Sequence, residues 1–116
     1  MTKQEMNRLI AEKCEGLKAI DDNWVEHSDR GGEHGWHDRV RIDDYFTDIA
    51  ACFRAAHAWS DKEPDHRGFW VGIDSCHDAM PEAEAWDYGG EKDRRSRKNG
   101  ESYATALASA LVEVIR

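Results

Sequence analysis

Three windows of this chain repeat apolar residues at intervals of three and four, and the stretches between them alternate apolar with polar, so the chain must bury helices against strands. Met6, Leu9, Ile10, Cys14 and Leu17 form the first helical stripe. Thr2, three residues before Glu5, supplies a capping box that starts it, and Gly16 stops it, which predicts a helix over about 3–15. Ile49, Cys52, Phe53, Ala56 and Trp59 form the second stripe, started at Thr47 and Asp48 and broken near Glu63 and Pro64. The third runs through Ala104, Leu107, Ala108, Leu111, Val114 and Ile115 behind a cap at Ser102.

Between the first two helices, Trp24 and Val25, a Gly31-Gly32 turn region, and Trp36, Val40 and Ile42 read as a hairpin within 21–44. Between the last two, Phe69 to Ile73 and Ala85 to Tyr88 read as two further strands, closed by Gly89 and Gly90. The order is helix, two strands, helix, two strands, helix. Elements mixed in this way predict one α+β domain, a layered α/β sandwich with a small, mainly antiparallel sheet. A chain of 116 residues with 40% hydrophobic side chains can bury a core of its own, alone or as a small homo-oligomer.

Charge narrows the function. A formal net charge of −8 repels a phosphate backbone, so no direct nucleic-acid partner is expected. No window is apolar enough for a membrane span, and the N-terminus lacks the apolar stretch of a signal peptide, so no membrane partner is expected either. Cys14, Cys52 and Cys76 are an odd number at long spacings without a CxxC pair, which fits a reducing cytoplasm.

Three segments together resemble a known family. Tyr45-Phe46-Thr47-Asp48-Ile49-Ala50-Ala51 looks like the "YSTDIAAA" signature of the phage ABA sandwich domain, a group of small phage and prophage proteins. Ala11 to Leu17 is similar to that family's "AEKVMGW", and Ser102 to Val112 resembles its closing "TAPLAICRAAL". The chain departs from the family in having Phe46 for Ser and Ala104 for Pro. The resemblance implies a phage or prophage source, a packed α/β fold and a cytoplasmic role in the host. It brings no catalytic residues.

The sharpest local feature is a basic segment, Lys92, Arg94, Arg95, Arg97 and Lys98 against the single anion Asp93, just before the Ser102 cap. Read as a loop, it places cations beside the positive end of a helix, an anion site for a phosphorylated ligand. Trp86, Tyr88 and Tyr103 are candidate stacking faces, and the ligand-binding set is Arg94, Arg95, Arg97, Lys98, Ser102, Tyr103 and Trp86. The plainer reading is a solvated charged loop. His27, His34 and His37, beside Asp29, Glu33 and Asp38, are the residues from which a metal site would be built, though in no recognised motif; an exposed polar loop is the alternative. Trp36 among them is a candidate interface anchor, whereas Trp24, Trp59, Trp70 and Trp86 fall within elements and read as core or half-buried.

Asp74, Cys76, His77 and Asp78 at a strand end, with His57 nearby on a helix, are the only group that suggests a small hydrolase. Neighbouring strand residues face opposite sides, so Cys76 and His77 are not a dyad. The expectation is therefore a non-enzymatic protein without a cofactor. It either sequesters a phosphorylated small molecule or nucleotide signal, or acts as an acidic inhibitor of a host defence or nucleic-acid-handling protein.

Overall fold

The computed structural model describes residues 1–26, 39–74 and 79–116. Its elements run α1 (Lys3–Lys13), β1 (Trp24–Glu26), β2 (Arg39–Arg41), α2 (Ile49–Lys62), β3 (Arg67–Asp74), β4 (Met80–Asp87), β5 (Arg94–Asn99) and α3 (Tyr103–Ile115). The α+β class is as expected, with two small antiparallel sheets: β1 with β2, and a second sheet in the order β3-β4-β5.

All three helices start where the sequence places them, because each has a side-chain oxygen to satisfy a free first-turn amide. Thr2 accepts from the Glu5 amide, Asp48 from Ala51 and Ser102 from Thr105. Gly16 adopts φ 68°, the left-handed conformation that ends α1's turn without a Cβ penalty.

One segment differs from expectation. The basic stretch is not a loop but the edge strand β5, paired with β4 from Asp87↔Arg94 to Glu82↔Asn99. Its sequence, Arg-Arg-Ser-Arg-Lys-Asn, has no apolar period; only Ser96 is buried. What makes it a strand is its complement on β4, described below.

The core lies between the three-stranded sheet and the helices. Phe69 and Val71 of β3, Ala83 and Ala85 of β4 and Ser96 of β5 share one face, since directly opposed residues point the same way. Helix α3 lies across this face and α2 packs at its β3 side, with the Phe53 and Phe69 rings 6.3 Å apart. Small residues are frequent in this core: Ala104, Ala106, Ala108 and Ala110 of α3 are all buried, as are Ala83 and Ala85. Leu107, Leu111, Ile10, Tyr45 and Trp59 supply the bulk. The helix also abuts Gly100, where an added Cβ would come within 2.7 Å of the Ala106 amide nitrogen.

The three segments that carry the family resemblance meet at one place. Tyr45 is 1% exposed and its hydroxyl donates to Glu15, while Arg54 Nε donates to the same carboxylate at 2.5 Å and its Nη2 to Asp43. Thr105 donates to the Phe46 carbonyl at 2.8 Å, and the Cys52 thiol lies 3.8 Å from the Ala104 carbonyl oxygen. Burial, then the bond to Glu15, holds the Tyr45 proton on far above the usual phenol range. Burial likewise pushes the Cys14 and Cys52 thiols up to about 12, which leaves them poor nucleophiles.

Asp44 ties α1 to the turn before α2. Burial raises its pKa, but bonds from Lys3, Thr47, Asn7 and the Phe46 amide outweigh that and lower it below the ordinary value. A lowered carboxyl stabilises the fold above its unfolded pKa, about 3.9, and the contribution disappears as pH falls through the lower folded value. Asp44→Asn is therefore expected to melt below the parent at pH 7, and the gap is expected to close in acid below about pH 3.9. Melting curves across that range check it; a constant gap would assign the role of Asp44 to shape rather than charge.

Candidate interaction face

The other face of the three-stranded sheet carries the most concentrated chemistry. It presents Gly68, Trp70 and Gly72 from β3, Glu82, Glu84 and Trp86 from β4, and Arg95, Arg97 and Asn99 from β5. Among the described elements, those that pack on this sheet lie on the opposite, Ala83–Ala85 side.

Yet Glu82 and Glu84 are 4% and 3% exposed. Their cover comes from their own face. Arg95 Nε donates to Glu84 and Arg97 Nε to Glu82, each on a diagonal across the β4–β5 ladder. The guanidinium of Arg97 also sits 5.4 Å from the Trp70 ring centroid. The two indoles lie flat because glycine leaves room beneath them. A Cβ at Gly68 would fall 2.4 Å from Trp86 Cζ2, and one at Gly72 would fall 3.2 Å from Trp70 Cζ3. The result is a plated surface: glycine backbone, then indole, then guanidinium.

Charge on the plate cancels, with two carboxylates beneath and two guanidiniums above. The arginine side chains remain 63% and 59% exposed. Each spends its Nε on a glutamate, and its terminal nitrogens have no hydrogen-bond partner among the described residues.

The predicted ligand-binding set does not assemble as a single site. Arg95, Arg97 and Trp86 share the plate. Arg94 lies on the helix-packed side, where Nη1 donates to the Val114 and Arg116 carbonyls at 3.0 and 2.7 Å, capping the C-terminal end of α3. Ser102 caps the opposite end, about 20 Å away along a helix of 13 residues. Lys98 and Tyr103 are exposed away from the plate, Lys98 on the same side as Arg94. An anion site at the start of α3 would need the basic segment beside it, and strand formation carries Arg94 to the far end. Trp36 and the metal candidates His27, His34 and His37 lie outside the described residues, as do Cys76, His77 and Asp78. His57 is exposed on α2 with its ring edge against Phe69, centroids 5.0 Å apart.

Two clefts compete with the plate. One, about 740 Å³, is lined by Lys13, Arg67, Asp87, Lys92 and Arg94 among others. Its guanidiniums are already engaged, Arg67 by Asp87 and the Trp59 carbonyl and Arg94 by the end of α3. The second, about 300 Å³, lies beside the β1–β2 hairpin over Leu17, Val25 and Ile42. The polar groups at its wall, Glu15, Tyr45 and Arg54, are consumed in the network already described. The guanidiniums of the first cleft are thus spent, while the second is also lined by Arg41.

Sequence reading missed Trp70, Glu82, Glu84 and Gly68 as members of this surface. The signal was present in the alternation of Gly68, Trp70, Gly72 and of Glu82, Glu84, Trp86, with Arg95 and Arg97 at the same period.

No protein-family model, curated protein or solved structure matches the chain. No helix of the described residues is long and apolar enough to cross a membrane.

Proposed function

We propose that this protein is a non-catalytic binding module whose plated sheet face docks on another protein. The observation that carries the reading is the composition of that face: two indoles and two exposed guanidiniums on a flat, charge-balanced surface. Trp and Arg are the residues most enriched at interface hot spots, and a flat face suits a protein partner, whereas small ligands take concave sites. The terminal nitrogens of Arg95 and Arg97 suit carboxylates on that partner, set beside an apolar or aromatic patch that covers Trp70 and Trp86. Sequestration of a nucleotide is less well supported, because its intended residues are dispersed to both ends of α3.

The source implied by the resemblance, a phage or prophage accessory protein acting on a host protein in the cytoplasm, belongs to the same proposal. Its support is the joining of the three resembling segments through Tyr45, Glu15 and Thr105.

The test needs variants that keep the face folded. Glu82→Gln with Arg97→Met, and Glu84→Gln with Arg95→Met, each remove a charge pair together, so neither strands a buried carboxylate. Host proteins captured at low salt by the parent protein should be lost from both double variants, with at least about tenfold weaker binding, or roughly 1.4 kcal/mol. A control change on α3, Glu113→Lys, should leave capture intact. Retention by the plate variants, or a melting shift of the parent with a mononucleotide, would overturn the protein-docking reading.

A further inference from the structure

The two edges of the three-stranded sheet are built differently. The β5 edge is guarded: Arg95, Arg97 and Asn99 have their backbone groups turned away from β4, and the two arginines put positive charge along that border. Among the described residues the β3 edge has no such guard. Its middle reads Phe69-Trp70-Val71-Gly72-Ile73, without a charged side chain.

The bond between the Tyr88 amide and the His66 carbonyl sets which β3 residues bond to β4: Gly68, Trp70 and Gly72 face it. The amides and carbonyls of Phe69, Val71 and Ile73 therefore point out of the sheet, and none has a backbone partner among the described residues. Their side chains are under-covered as well. Phe53, Phe69 and Val71 are only partly buried, and Ile73 is 58% exposed. A strand with free backbone and half-covered apolar side chains is a template for another strand.

We infer that the β3 edge pairs with the β3 edge of a second copy, joining two sheets into one across a twofold axis. The strand is complementary to itself. Antiparallel pairing centred on Trp70 sets Phe69 against Val71 of the other copy and Trp70 against its own counterpart. It also sets Arg67 against Ile73. No like charges oppose each other, and aromatic and aromatic–branched cross-strand pairs are favourable. Paired in the same way, β5 would bring arginines and a lysine together, which confines growth to one edge and closes the assembly at two copies. The twofold axis runs through the sheet, so both plated faces lie on the same side of the dimer, with the two Trp70 rings between them. The inference stands on the edge and is independent of what the plate binds.

Two measurements on the intact protein test it. In sedimentation velocity at about 100 µM the parent is expected to be dimeric, dissociating on dilution. Hydrogen exchange at that concentration should protect the Phe69 and Val71 amides, with protection falling as the protein is diluted. Charge at the exposed Ile73 then reads the register. Ile73→Lys faces Arg67 of the second copy and should weaken dimerisation by at least about tenfold, whereas Ile73→Glu should hold or tighten it. A monomer at that concentration with fast-exchanging Phe69 and Val71 amides would overturn the inference. So would a dimer indifferent to both Ile73 variants, which would place the contact on another surface.

Discussion

Tyr45→Ala is expected to lower the unfolding free energy by about 3–5 kcal/mol, the range for deleting a fully buried aromatic side chain. Against the roughly 5–15 kcal/mol that holds a domain of this kind together, that is a large share. The loss has two parts. The ring is buried in the core cluster, and the hydroxyl satisfies Glu15, whose side chain is 10% exposed. Tyr45→Phe separates them: it keeps the ring and removes the hydroxyl, leaving Glu15 to Arg54, and should cost about 1–3 kcal/mol. Urea unfolding measures both, with a lower midpoint at unchanged slope as the expected signature. Equal losses from the two variants would mean that the hydroxyl network, and not the packed ring, holds this junction.

Gly68→Val is expected to cost about 1–3 kcal/mol and to dismantle the plated face. The new side chain starts 2.4 Å from the Trp86 ring, which must lift from its place beside Glu84. Trp86→Ala vacates that space. The double variant should then be more stable than the sum of the single losses, a coupling read by a double-mutant cycle. The Trp86 indole N–H resonance should shift in Gly68→Val while that of Trp59, buried under Arg67, stays in place. Additive losses would mean that Gly68 and Trp86 do not share the space described.

The helices were legible in the sequence because each pairs a capping side chain with an apolar stripe, and Thr2, Asp48 and Ser102 perform that task. The pairing of β1 with β2 was legible from Trp24 and Val25 before the Gly31-Gly32 turn region and Val40 after it, although β2 spans only Arg39–Arg41, Ile42 lies beyond it and Trp36 lies outside the described residues. Strand β5 was not, since hydrophobic alternation is the cue for a strand and Arg94 to Asn99 has none. Its alternation is electrostatic: Arg95 and Arg97 match Glu82 and Glu84, which are distant in sequence and meet only once β4 and β5 pair. The candidate site fared in proportion. Arg95, Arg97 and Trp86 stand out in the sequence, but a loop reading attaches them to Ser102, and the glutamates that fix the arginines do not stand out because buried carboxylates are rare.

The seam of alanines between α3 and the central strand sets how this protein can change. Ala83, Ala85, Ala106 and Ala110 are fully buried between helix and sheet, and Gly100 brings backbone against backbone at the helix start. In a library randomised at these positions, survivors should be glycine, alanine and serine almost exclusively, because any longer side chain pushes the layers apart along their whole length. The exposed positions of β5 face no such limit beyond keeping each Arg–Glu pair matched, and the plate adds only the glycines beneath its indoles. Diversification of this fold is thereby channelled to its outer sheet face, leaving the inner layer nearly invariant.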